Sequence, residues 1–201
     1  MNLTKKQKSA IIGMILGDGY LQPTGIKNAR LRLEHKAGHV DYLKWKINLL
    51  PHLFQGSPKI LERIHPLTKR KYQYARQQSQ ASPFLGKLRS LFYPDGKKHI
   101  PENLAKFLRD KIAFAVWFYD DGYYYTRDKC SYLYLGRISH YEAEIVKEAI
   151  YNKFVLISKI LDKKNKGFVL YFSPSENKKI KLILEKYYVP IMAYKIPFLT
   201  P

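Results

Sequence analysis

Ile11-Ile12-Gly13-Met14-Ile15-Leu16-Gly17-Asp18-Gly19-Tyr20 and Phe114-Ala115-Val116-Trp117-Phe118-Tyr119-Asp120-Asp121-Gly122-Tyr123 share one pattern. In each, an apolar run of helical length ends in Asp-Gly-Tyr, and half the chain separates Asp18 from Asp121. An internal repeat of this kind constrains a fold before any single motif does.

The segments downstream of the two copies also correspond. After the first come an extended stretch at 30–34, an amphipathic helix at 39–50, strand-like runs at 59–64 and 71–78, and a helix around 83–92. After the second come an extended stretch at 132–138, a helix at 142–154, strands at 158–161 and 168–173, and a helix around 177–188. The pattern predicts an α+β fold of two pseudo-symmetric αββαββα halves, resembling a fused dimer. The joint falls near 93–108, where Pro94-Asp95-Gly96 is a strong turn signal. The expected organisation is an N-terminal half at 1–93, a linker at 94–108 and a C-terminal half at 109–201.

The two repeated helices carry the chemistry. Thr4 with Gln7 makes a capping box for the first, and Asp110 is placed to cap the second. Both are apolar nearly all round and must be buried on most sides. Gly13 and Gly17 share one face and permit a close backbone approach, although each glycine disfavours helix by about 1 kcal/mol. Val116 and Asp120 stand where the first copy has Gly13 and Gly17, so asymmetric packing is expected. A single Asp-Gly after a helix is an ordinary turn. A carboxylate there nevertheless opposes the helix dipole, which favours Lys or Arg at that end. Two such ends side by side repel unless cations sit between them. Carboxylates supplemented by backbone carbonyls and water suit Mg²⁺, and paired ions serve phosphodiester hydrolysis. With no Cys or His cluster nearby, zinc is a poor candidate. The residues therefore point to a metal-dependent phosphodiesterase.

Composition agrees. The 201 residues include 36 Lys plus Arg against 16 Asp plus Glu, a formal charge of +20. At 46% hydrophobic and 14% aromatic, the chain is no disordered basic tail, and its charge calls for a polyanion. No apolar run approaches the about 20 residues of a membrane-spanning helix, so no membrane partner is expected. Lys5, Lys6 and Lys8 imitate the start of a signal peptide, but the run behind them ends in Gly17-Asp18-Gly19 instead of a cleavage site. Cys130, the one cysteine, rules out an internal disulfide. It fits an intracellular reducing compartment, either an organelle matrix (mitochondrion or chloroplast) or a bacterial cytoplasm.

The strands supply candidates for reading DNA. The run at 29–34 alternates, turning Leu31 and Leu33 inward and Arg30, Arg32 and Glu34 outward. The run at 69–78 offers Lys69, Arg70, Lys71, Tyr72, Gln73, Tyr74, Arg76 and Gln78, preceded by Lys59 and Arg63. Arg suits guanine and Gln suits adenine in the major groove. In the second half the equivalent supply is Arg127, Lys129, Arg137, Lys159, Lys163, Lys164 and Lys166, expected on strand faces. The 17 tyrosines are read mainly as packing residues.

Taken together, these residues resemble the LAGLIDADG homing endonucleases in their single-chain form with two motif copies, most like the omega-intron type of yeast mitochondria. The likeness rests on Ile15-Leu16-Gly17-Asp18-Gly19-Tyr20, on Trp117-Phe118-Tyr119-Asp120-Asp121-Gly122, on Lys97-Lys98-His99-Ile100-Pro101 and on Tyr194-Lys195-Ile196-Pro197, and covers nearly the whole chain. It implies motif helices at the interface of the halves and two antiparallel β-saddles gripping a long, asymmetric double-stranded DNA site. It also implies a monomer that cuts both strands, leaves 3′ overhangs and serves intron homing. By the same resemblance Asp18 and Asp121 bind metal, the carbonyls of Gly17 and Asp120 are further ligands, and Lys98 and Lys195 stand beside the metals, organising water and stabilising charge. Mg²⁺ is the implied cofactor, with Mn²⁺ substituting and Ca²⁺ binding without supporting cleavage. Lys98 stands three residues before Pro101 and Lys195 two before Pro197, so Lys97 remains a rival to Lys98. Proteins of this fold also act as maturases on their own intron RNA or bind DNA without cutting, and both remain as alternatives. The closing Phe198-Leu199-Thr200-Pro201 lacks the terminal His-Asn of an intein, so a freestanding reading frame is expected.

Overall fold

The computed structural model describes residues 2–199; Thr200 and Pro201, on which the reading of the chain end depends, lie outside the described residues. In chain order the elements are helix α1 (Lys5–Leu16), strands β1 (Tyr20–Pro23) and β2 (Ala29–Lys36), helix α2 (Val40–Asn48), strands β3 (Lys59–Ile64) and β4 (Lys71–Gln78) and helix α3 (Pro83–Phe92). The set then recurs as α4 (Ile112–Asp121), β5 (Gly122–Tyr125), β6 (Cys130–Gly136), α5 (His140–Phe154), β7 (Lys159–Asp162), β8 (Phe168–Phe172) and α6 (Asn177–Glu185). Both sheets are antiparallel with the same order, β1-β2-β4-β3 and β5-β6-β8-β7. The short strands directly after the motifs, β1 and β5, carry no length of alternation that the sequence alone would delimit.

By packing, the chain divides into one compact unit of residues 1–17 with 91–201 and another of residues 18–90. This division differs from that of the repeat, because α1 is counted with the second half of the chain. The cause is its partner. Ser9–Leu16 of α1 and Ile112–Tyr119 of α4 are buried, and a Cβ on Gly13 would collide with the Ala113 carbonyl oxygen. One on Gly17 would collide with the Asp120 carboxylate. The glycine face of α1 therefore lies directly on α4, and Asp120 fills the space that Gly17 leaves.

Local signals explain the helix starts. Thr4 and Gln7 form the capping box of α1, with Gln7 N donating to Thr4 Oγ1 at 3.1 Å and Thr4 N to Gln7 Oε1 at 3.0 Å. Asp110 Oδ1 accepts from Ile112 N at 2.8 Å at the start of α4. Pro94-Asp95-Gly96 turns with Gly96 at φ 86°, and Asp95 Oδ1 accepts from Lys97 N. Cys130 is buried and reduced. Among the described residues no helix is long and apolar enough to cross a membrane.

Candidate active site

The C-terminal ends of α1 and α4 are finished in the same way. Lys98 Nζ donates to the carbonyls of Leu16 at 2.6 Å and Gly17 at 3.0 Å. Lys195 Nζ donates to those of Tyr119 and Asp120, both at 2.7 Å. Each lysine thus bridges two carbonyls at the negative end of a motif helix, where an ammonium is favoured. The two residues sit differently with respect to their prolines yet reach equivalent atoms. Lys97, by contrast, is exposed and its backbone N–H serves the Asp95 turn.

The segment carrying Lys98 is anchored to α5. Glu142 accepts from Ile100 N at 2.9 Å and from Ser139 N at 2.8 Å, and His99 Nδ1 lies 3.3 Å away. Burial alone would raise the Glu142 carboxyl, but these hydrogen bonds hold it below its ordinary value. His99 Nε2 also meets Asp95 at 3.1 Å, and that hydrogen bond raises the imidazole pKa against the opposing effect of burial.

Within this unit a cleft of about 330 Å³ is lined by Gly17, Lys98, Trp117, Asp121, Arg137 and Lys166, among others. Trp117 Nε1 is buried without a hydrogen-bond partner. In this unit the candidate metal-binding atoms are all oxygens: the carboxylate of Asp121 and the carbonyls of Gly17 and Asp120. A carbonyl oxygen has two lone pairs, so the lysine contacts leave each carbonyl one further acceptor site. The set fits a hard divalent cation.

Asp18 opens the other unit, residues 18–90. There His35 Nδ1 lies 3.7 Å from Asp18 Oδ2. On the far side of the same ring, His35 Nε2 lies 3.1 Å from the Nζ of the fully buried Lys46. Neither His35 nor Lys46 belongs to a motif, and a lone His in an alternating strand carries no sequence signal of its own.

The sheet of residues 18–90 has a polar face in which register decides membership. Tyr20, Arg32 and Gln78 form one row across β1, β2 and β4. Glu34, Arg76 and Lys59 form another across β2, β4 and β3, with Arg63 opposite Tyr72 further along. Arg30 donates to Gln78, which donates to Gln22. Tyr74 lies on this face beneath the Arg63 guanidinium, 4.7 Å from it. Lys71 and Gln73 alternate onto the opposite face, and Lys71 pairs with Glu62 at 3.2 Å. Lys69 and Arg70 sit in the β3–β4 turn. Glu34 faces three arginines, Arg32, Arg63 and Arg76. Burial pushes its carboxyl up, but the hydrogen bonds and charges of Arg76 and Arg32 prevail and hold it low. It is therefore an organiser of arginines.

The second sheet departs from expectation. Of its seven basic candidates only Lys159 is on a strand. Arg127 and Lys129 occupy the β5–β6 turn, Arg137 follows β6, and Lys163, Lys164 and Lys166 occupy the β7–β8 turn. The strand face instead carries a row of Tyr123, Tyr132 and Tyr171 ending in Lys159. Tyr132 and Tyr171 are 5.6 Å apart by ring centroid, and Lys163 Nζ stands 5.4 Å over the Tyr132 ring. Most of the charges that the sequence suggested for the face are in the turns and flanks around it. The period-two spacing of Tyr123 with Tyr125, and of Tyr132 with Tyr134, is the signal that would have found the aromatic row.

Comparison with known proteins now bears on these sites. The profile of the LAGLIDADG DNA endonuclease family matches residues 8–180, spanning both motif helices and both sheets. The chain belongs to that family. A relative outside stand-alone nucleases is protein RecA of Mycolicibacterium flavescens, 32% identical over 130 residues. That match takes in 63% of this chain and only 28% of the RecA protein. The probable intron-encoded endonuclease 1 of Wickerhamomyces canadensis is 26% identical over 201 residues, covering 98% of this chain and 86% of its own. The solved homing endonuclease I-WcaI, bound to its DNA recognition sequence, superposes with a TM-score of 0.87 at 27% identity, over 98% of this chain and 88% of that one. In this LAGLIDADG chain, the lysine-capped helix end is repeated in both halves, as is the strand order of the sheets.

Proposed function

We propose that this LAGLIDADG chain is a site-specific endonuclease that hydrolyses one phosphodiester in each strand of a long, asymmetric DNA site. The observation that carries this reading is the duplicated helix end: a buried helix, a lysine bridging two successive carbonyls at its C-terminal end, and an aspartate directly after those two residues in sequence. One such end suits one scissile phosphate, and two suit a duplex. The likeness to an endonuclease solved on its DNA recognition sequence supports the choice of DNA as partner.

Asp18 and Asp121 are the metal-binding carboxylates, each taking a divalent cation, Mg²⁺ in the cell, with the carbonyls of Gly17 and Asp120 as further donors. The cation, when bound, lowers the pKa of water and neutralises charge on the phosphate. Lys98 and Lys195, each fixed by two carbonyls at a motif-helix end, bring a held positive charge beside the metal-binding aspartates to oppose developing negative charge. Arg137 and Lys166, on the rim of the Asp121 cleft, take backbone phosphates. The Arg, Gln and Tyr rows of the two sheets meet base edges. Both motif copies lie in one chain, so the protein acts as a monomer.

The test is cleavage of the DNA made by joining the sequences that flank the host intron. A single double-strand break with 3′ overhangs is expected in Mg²⁺ or Mn²⁺, and binding without a break in Ca²⁺. Tight binding with no break in any metal overturns the reading and makes intron RNA the next substrate.

A further inference from the structure

The two helix-end lysines precede matching dipeptides, Ile100-Pro101 and Ile196-Pro197, but the isoleucine N–H is satisfied differently in each copy. Ile196 N donates to the Ala193 carbonyl at 2.9 Å, so the turn that carries Lys195 is closed by its own backbone. Lys98 has one more residue before its proline, and Ile100 N donates instead to Glu142 Oε1 at 2.9 Å, 42 residues away on α5. Glu142 is itself held in place. Its side chain is only 14% exposed. Its other oxygen, Oε2, accepts from Ser139 N at 2.8 Å and from Ser139 Oγ at 2.9 Å in the capping box of α5. Ile100 is buried and lines the same cleft as Lys98, Gly17 and Asp121. A lysine stem is flexible, so the place of its Nζ depends on where its backbone is fixed.

We infer that Glu142 is a positioning residue for Lys98: its hydrogen bond to Ile100 N fixes the segment that delivers Lys98 Nζ to the carbonyls of Leu16 and Gly17. The inference rests on the proposal that each helix-end lysine serves the cut in one strand. It gives the half-buried carboxylate a task beyond capping α5, and it makes the two copies unequal. The remote acid does for Lys98 what a local backbone turn does for Lys195, so losing it unbalances the two cuts. Misplacing a group by a small distance at a reacting centre costs up to about 10²-fold in rate.

Single-turnover cleavage of the intron-flank DNA by the full chain, with the two strands labelled separately, tests it. In Mg²⁺, Glu142→Met should slow one of the two cuts by up to about 10²-fold and leave the other near the wild-type rate, so that nicked DNA accumulates. Lys98→Met should slow the cut in that same strand, and the double variant should be no slower on it than Lys98→Met alone. Specific binding in Ca²⁺ should be unchanged. Ser139→Ala breaks the capping box but leaves Ile100 N its acceptor, so it should lower stability without unbalancing the cuts. If Glu142→Met does not fold, Glu142→Asp carries the same prediction, because it keeps an acid in the first turn of α5 and falls one methylene short of Ile100 N. Equal slowing of both cuts, wild-type cleavage by a folded variant, or slowing that adds to that of Lys98→Met overturns the inference. Failure of the underlying reading looks different: Lys98→Met would then leave both cuts at the wild-type rate, whatever Glu142 does.

Discussion

Lys195 Nζ donates to the Asp120 carbonyl at 2.7 Å, the relationship that Lys98 Nζ has with the Gly17 carbonyl at 3.0 Å. The helix end that should repel an aspartate is thus already supplied with a cation by the protein itself. The carboxylate next in the chain can then face a metal without the full repulsion of the dipole. Replacing either lysine by Met should reduce cleavage by about 10²–10³-fold, the scale for losing one pre-oriented donor. It should also destabilise the fold by about 1.5–3 kcal/mol through lost charge-assisted hydrogen bonds. Single-turnover cleavage and urea unfolding on the same preparations check the two parts, and specific binding in Ca²⁺ should persist.

Gly13 gives a packing prediction. Ala is the better helix former by about 1 kcal/mol, yet a Cβ at this position would strike the Ala113 carbonyl oxygen. Backbone cannot move aside as a flexible side chain can, so the clash wins. Gly13→Ala should lose a net 1–3 kcal/mol, roughly the usual cost of overpacking. Denaturant midpoints would settle it, and an unchanged or raised midpoint would mean the helices do not touch there.

His99 gives a pH dependence. Its pKa is raised above 6.5 by the hydrogen bond to Asp95, against burial and with help from the charges of Asp95 and Glu142. The protonated ring is therefore stabilised by folding. That contribution is fully present below the unfolded pKa and is lost as pH rises through the higher folded value. The melting temperature should fall from about pH 6 to about pH 8, and His99→Gln should flatten that slope.

The β7–β8 turn gives a salt dependence. If Lys163, Lys164 and Lys166 meet phosphates, each one replaced by Met should reduce the magnitude of the log–log salt slope of DNA binding by about 0.9. Fluorescence anisotropy between low and moderate salt measures this. Replacing Lys71, which faces away and pairs with Glu62, should leave the slope nearly unchanged.

The repeat, the strands at 59–64 and 71–78 and the capping box were legible because each depends on local pattern: a period, a turn or a cap. The glycine face of α1 was legible too, since Gly13 and Gly17 are separated by one helical turn. The membership of a sheet face was harder to read. A basic run such as 69–78 looks uniform in sequence, while register and alternation divide it between two sides and a turn. Lys46 and His35 were invisible for a related reason: their partnership joins a strand to a helix through burial, and no spacing rule links them. Most of the basic residues expected on the second sheet's face lie in turns and flanks that the expected strand bounds already left outside, so counting them as a face mistook proximity in sequence for membership of a strand.

The most direct measurement compares Asp18→Asn and Asp121→Asn with wild type, on one DNA target, for cleavage in Mg²⁺ and binding in Ca²⁺. The account predicts that neither variant makes a double-strand break and that both still bind the target specifically. A normal double-strand break by either variant would contradict the assignment of the two helix-end aspartates as the metal-binding pair.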